Sequence, residues 1–92
     1  LIVTRSPIVE LNRAVAVAMA EGAAAGLAIL DGLKEEAQLK TYHLLPSARG
    51  ELLQRLGRLD EAREQFERAA SLTQNERERS VLLGRASDCL RL

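Results

Sequence analysis

Leu27, Leu30 and Leu33, with Ile29 beside them, and further on Leu82, Leu83, Ala86, Cys89 and Leu90, recur at the spacing that lines one face of an α-helix. Polar and turn-forming residues mark where such faces begin and end. Ser6-Pro7 reads as an N-cap followed by a first helical position, since a serine oxygen accepts an orphan N–H and proline lacks one. A first helix is therefore expected over about 7–20. Glu21-Gly22 breaks it, an Ala-rich second helix covers about 23–33, and the segment 34–38 is a polar connector.

A third helix is expected over about 39–56, with Pro46 in its first turns or kinking it, because an interior proline removes one hydrogen bond and clashes one turn back. Gly57-Arg58-Leu59 makes the next turn. Asp60 is the expected N-cap of a fourth helix over about 61–72, with Asp60 and Glu61 at its positive end and Glu64 paired to Arg68 one turn on. Asn75 followed by Glu78 resembles a capping box and opens a fifth helix, about 76–91. Five helices with short connections imply an all-α fold of antiparallel neighbours.

Gly50, Leu53, Gly57, Ala62, Phe66 and Ala69 hold the offsets of a tetratricopeptide repeat. That pattern places small residues where two helices cross closely, a bulky ring between them and a glycine in the turn. The sequence departs from it at Pro46, Arg49 and Gln74, where an aromatic, a leucine and often a proline are usual. Thirty-six residues upstream, Ala62, Phe66 and Ala69 map to Gly26, Leu30 and Leu33, and Gly50 and Leu53 map to Ala14 and Val17. The expected organisation is one tetratricopeptide-like domain over 1–92: a degenerate repeat at 7–38, a clearer one at 39–74, and a capping helix at 75–92 with a polar outer face. Two repeats and a cap fall below the roughly three needed for independent stability, so support from neighbouring chain or a partner is expected. The start at Leu1 rather than Met agrees with a piece of a longer or processed chain.

Composition narrows the function classes. Thirteen basic and thirteen acidic residues cancel, no basic stripe marks a nucleic-acid surface, and direct nucleic-acid binding is not expected. The weakly charged stretch 14–30 is broken by Glu21-Gly22 and is too weakly apolar to span a bilayer. A single Cys89 forms no internal disulfide and no secretory leader is evident, so a cytoplasmic setting is the default.

A more specific likeness is local. The runs SPIVELNRAVAVAMAEGAAAGLAILDGL and YHLLPSARGELLQRLGRLDEAREQFERAASLTQNERER resemble the C-terminal extension of a bacterial family of extracytoplasmic-function RNA polymerase sigma factors. In that family a tetratricopeptide-like region follows two sigma domains that bind promoter DNA and core polymerase. The resemblance implies a protein-interaction or regulatory domain in transcription initiation, contacting the sigma-factor core domains or RNA polymerase subunits. The alternative is an independent tetratricopeptide scaffold that binds a partner peptide.

Candidate chemistry is sparse. His43 with Ser47 and Asp31, Asp60 or Asp88 lacks the strand and glycine-flanked nucleophile turn of a hydrolase, one His and one Cys make no closed zinc site, and Gly22, Gly26 and Gly32 follow no strand as a phosphate loop would. No catalytic residue, metal or cofactor is expected. Glu10, Asn12 and Arg13 interrupt an otherwise apolar first helix, and Tyr42 and His43 fall at the repeat junction; these five are the candidate partner-binding residues, with an internal hydrogen-bonding network as the alternative for the first three. Carboxylate clamps of peptide-binding tetratricopeptide domains use Lys, Asn and Arg on the inner helices. The corresponding positions here are Val15, Ala18, Met19, His43, Glu51, Gln54 and Arg55, which do not reproduce it.

Overall fold

The structure, a computed structural model, describes residues 7–90, and Ser6 and its expected capping role lie outside them. The order is α1 (Pro7–Glu21), α2 (Ala23–Gly32), a 3-10 turn (Ala37–Leu39), α3 (Leu44–Arg55), α4 (Leu59–Leu72) and α5 (Glu76–Asp88). No strand occurs among the described residues, and the fold is all-α. Each helix packs mainly on its neighbours in the chain, α1 on α2, α2 on α3, α3 on α4 and α4 on α5. The molecule is accordingly elongated, 50 × 30 × 19 Å.

Two close crossings hold the hairpins together. In the second hairpin Gly50 of α3 faces Phe66 of α4 so closely that a Cβ at residue 50 would lie 2.9 Å from two ring carbons. Phe66 is fully buried, with Ala62, Ala69 and Leu53 around it in the same core. In the first hairpin Gly26 takes the small position, and its missing Cβ would lie 2.5 Å from the Ala18 Cβ and 2.7 Å from the Ala14 carbonyl oxygen. Gly26, Leu30 and Ala14 are buried and Leu33 and Val17 half-buried, whereas Ala62, Phe66, Gly50, Ala69 and Leu53, thirty-six residues on, are all buried.

Two helix starts differ from the sequence expectation, each for a local reason. Helix α3 starts at Leu44, not near residue 39, because Pro46 then occupies the first turn, where its missing N–H would have no intrahelical acceptor. The segment ahead of it closes instead as a 3-10 turn that buries Leu39. Helix α4 starts at Leu59 with Arg58 as its cap, so Asp60 is a first-turn residue and not the cap. Gly57, at φ +77°, reverses the chain, and Arg58 N–H donates to the Leu53 carbonyl at 2.9 Å, delivering the backbone into α4 earlier than expected.

Asn75 does cap α5, its Oδ1 accepting from the N–H groups of Arg77 at 2.9 Å and Glu78 at 3.1 Å. The reciprocal half of the capping box is absent. Asn75 N–H donates to Thr73 Oγ1, and Glu78 instead accepts from the Thr73 hydroxyl at 3.1 Å. Helix α5 ends at Asp88, and of its expected apolar face Leu82, Ala86 and Cys89 are buried while Leu83 and Leu90 are 49% and 58% exposed. With Val81 also 58% exposed, the solvent-exposed surface of α5 is not the uniformly polar one expected of a cap.

Candidate functional site: a shared face of α3

Leu44, Ser47, Ala48, Glu51 and Arg55 recur every three or four residues and so form one stripe along α3. That stripe lines two clefts. Towards α1, Val15, Ala18 and Met19 face Ala48, Glu51, Leu52 and Arg55 across a space of ≈ 280 Å³. Towards α5, His43, Leu44 and Ser47 face Glu78, Val81, Leu82 and Arg85 across ≈ 360 Å³, with Asn75 and Arg77 at the end. Large apolar side chains stay open here: Met19 is 76% exposed, and Val15, Leu44 and Val81 are exposed as well.

The polar groups around the second cleft are held in place. His43 Nε2 lies 3.3 Å from Glu78 Oε1, whose other oxygen accepts from Thr73. Arg85 stacks over the Phe66 ring at 4.6 Å from its centre and donates to Gln54 Oε1 at 3.3 Å, joining α5 to both helices of the second hairpin. Asn75 is committed to the helix N-terminus. Arg77 carries a guanidinium with no hydrogen-bond or ion-pair partner among the described residues.

The five sequence-nominated residues do not gather into this site. Glu10 accepts from Arg13 Nε at 3.1 Å on α1, an internal pair of the kind named as the alternative, and Asn12 is exposed; none of the three lines either cleft. His43 does line one. Tyr42 packs half-buried against the core with its ring edge-on to His43, the centroids 5.9 Å apart. His43 is paired with Glu78 rather than Asp31, Asp60 or Asp88, and Asp31 is taken up by Arg49 at 2.9 Å.

Leu44, Arg77 and Val81 were not nominated from the sequence. An exposed leucine next to a buried one at Leu45 reads as core until the exact start of α3 is known, which is the boundary Pro46 blurs. The lone Cys89 is buried, and burial first, then the Asp88 carboxylate, pushes its thiol above the usual range against the opposing pull of Arg85 and Arg63. Its thiolate, the nucleophilic form, is correspondingly scarce at neutral pH. Among the described residues no helix is long and apolar enough to cross a membrane.

An uncharacterized protein of Rhizobium meliloti (strain 1021) is 46% identical to this chain over 77 residues, which take in 84% of the chain. The chain spans 18% of the length of that relative. No family model matches the chain, and no solved structure matches it.

Proposed function

We propose that the chain is a protein-interaction or regulatory domain of an alternative sigma factor, built from tetratricopeptide-like hairpins and acting in transcription initiation by association. The observation that carries the association is the pair of clefts along the α3 stripe, in which Val15, Met19, Leu44 and Val81 remain open to solvent. Apolar side chains clustered in clefts and rimmed by polar groups are what a docking face offers. The sigma-factor context rests on the resemblance of the runs quoted above, and the tetratricopeptide assignment on the Gly50, Phe66 and Ala69 offsets. The partners in this reading are the sigma-factor core domains or RNA polymerase subunits, in the cytoplasm.

Transcription by purified polymerase with the full-length protein tests it. Deletion from Ser6 onward is expected to change transcript yield from its target promoters, and Met19→Lys with Val81→Lys to reproduce the change while circular dichroism stays that of the wild type. Reversing the charges of Glu10 and Arg13 is expected to leave transcription unaltered if their pairing is internal. Unchanged transcription after complete deletion would reject the regulatory role and favour an independent scaffold whose groove takes a partner peptide.

A further inference from the structure

A second cleft lies away from this face. Leu45, Pro46 and Arg49 fall on the side of α3 away from Leu44, Ser47 and Glu51, and with Lys34, Leu39, Lys40, Gln65 and Arg68 they enclose a space of ≈ 210 Å³. Its chemistry is one-sided. The charged lining residues are all cations, contributed by the α2–α3 connector (Lys34, Lys40), by α3 (Arg49) and by α4 (Arg68). Among the described residues, only Arg49 of these four has a counter-charge, through Nε and Nη2 to Asp31 Oδ1 at 3.1 and 2.9 Å.

Lys34, Lys40 and Arg68 have no ion-pair partner among the described residues. Arg68 is the most telling. Glu64 stands one turn before it in the order that favours a pair, yet no bond joins the two, and Arg68 lines the cleft. Collecting like charges around one small space raises the energy of the empty site and lowers that of the site holding an anion. A protein of zero formal net charge has no general need for such a cluster.

The geometry points to an oxyanion-binding site for a small phosphorylated molecule, its phosphate held among Lys34, Lys40 and Arg68 and its carbon skeleton against Leu39, Leu45 and Pro46. Charge favours a phosphate over a carboxylate: a monoester carries about −1.5 to −2 at pH 7 and three acceptor oxygens, matching several donors at once. Size favours a small molecule, since drug-sized ligands occupy about 300–1,000 Å³ and this cleft is below that range. Nucleic acid is disfavoured because the cations close on one space with an apolar floor and do not extend as a track for successive phosphates. The site is independent of the α3 stripe and of the sigma-factor reading.

Titration of the isotopically labelled chain with inorganic phosphate, then with glycerol phosphate, followed by two-dimensional NMR at constant ionic strength, tests the site. Saturable shifts are expected at the amides of residues 34, 40, 49 and 68, with acetate weaker by at least tenfold. Lys40→Gln with Arg68→Gln should weaken both phosphates at least tenfold, whereas Arg77→Gln, across the molecule, should leave them unchanged. Absence of saturable shifts, acetate binding as tightly as phosphate, or wild-type affinity in the Lys40/Arg68 double variant would overturn the site. A phosphoserine peptide binding tenfold tighter than glycerol phosphate would overturn the small-molecule assignment in favour of a modified protein segment.

Discussion

A methyl group added at Gly26 meets backbone, the Ala14 carbonyl oxygen at 2.7 Å, as well as the Ala18 Cβ; one added at Gly50 has side-chain atoms of the Phe66 ring as its nearest neighbours. One added at Gly84 meets nothing within 4 Å. Because glycine in a helix interior is worse than alanine by about 0.5–1 kcal/mol, the sign of each substitution depends on what the methyl strikes. Gly84→Ala should stabilise by roughly that amount, Gly50→Ala should destabilise by about 1–3 kcal/mol as overpacking does, and Gly26→Ala should be the most damaging of the three. Urea midpoints measure the order, and a Gly26→Ala variant as stable as wild type would contradict the close crossing. Phe66→Ala should cost about 3–5 kcal/mol, a large part of what a small domain has. In a Phe66→Leu background the Gly50→Ala penalty should shrink, since the atoms it strikes are gone; equal penalties in both backgrounds would mean the two residues are not coupled.

Between elements, the α4–α5 corner is held by side chains reaching back to the backbone. Arg79 donates through Nε to the Ala70 carbonyl at 3.1 Å and through Nη2 to the Thr73 carbonyl at 2.7 Å, covering acceptors that the end of α4 leaves open. Lysine offers a point charge without that fork, so Arg79→Lys should fail to restore the melting temperature lost in Arg79→Ala, and full restoration would show that charge alone suffices. Asn75→Ala should cost about 1 kcal/mol through loss of the cap. Much of this level was legible in the sequence. Asn75 announced α5 and the Gly50 to Ala69 spacing announced the α3–α4 crossing, because both signals are local. The start of α3 was not, since Pro46 permits any beginning that leaves it in the first turn, and burial of Leu39 decided against a longer helix. The cationic cleft was hidden for another reason: its four charges are scattered from residue 34 to residue 68 and only the folded connector brings them to one place. Read locally, Arg68 belonged with Glu64.

Across the whole molecule, helices that pack mainly on chain neighbours spread one continuous core along a series of adjacent contacts. The first hairpin, α1 with α2, meets the rest chiefly through α2 against α3, so its loss should remove one interface and leave α3 to α5 assembled around Phe66. Leu30 is fully buried in α2, and Leu30→Ala at a cost of about 2–5 kcal/mol should strike the first hairpin hardest. Two readouts separate local from global loss. Amide hydrogen exchange in Leu30→Ala should accelerate over α1 and α2 and stay slow in α3 and α4, as expected for units that open separately. Cys89 reports the far end: it is buried at the C-terminal end of α5 with its thiol pushed up by that burial, so alkylation at neutral pH needs opening of the second unit. Alkylation of Cys89 should therefore remain at the wild-type rate in Leu30→Ala and rise sharply in Phe66→Ala. Equal acceleration of both readouts in Leu30→Ala would show that the hairpins unfold as a single cooperative unit.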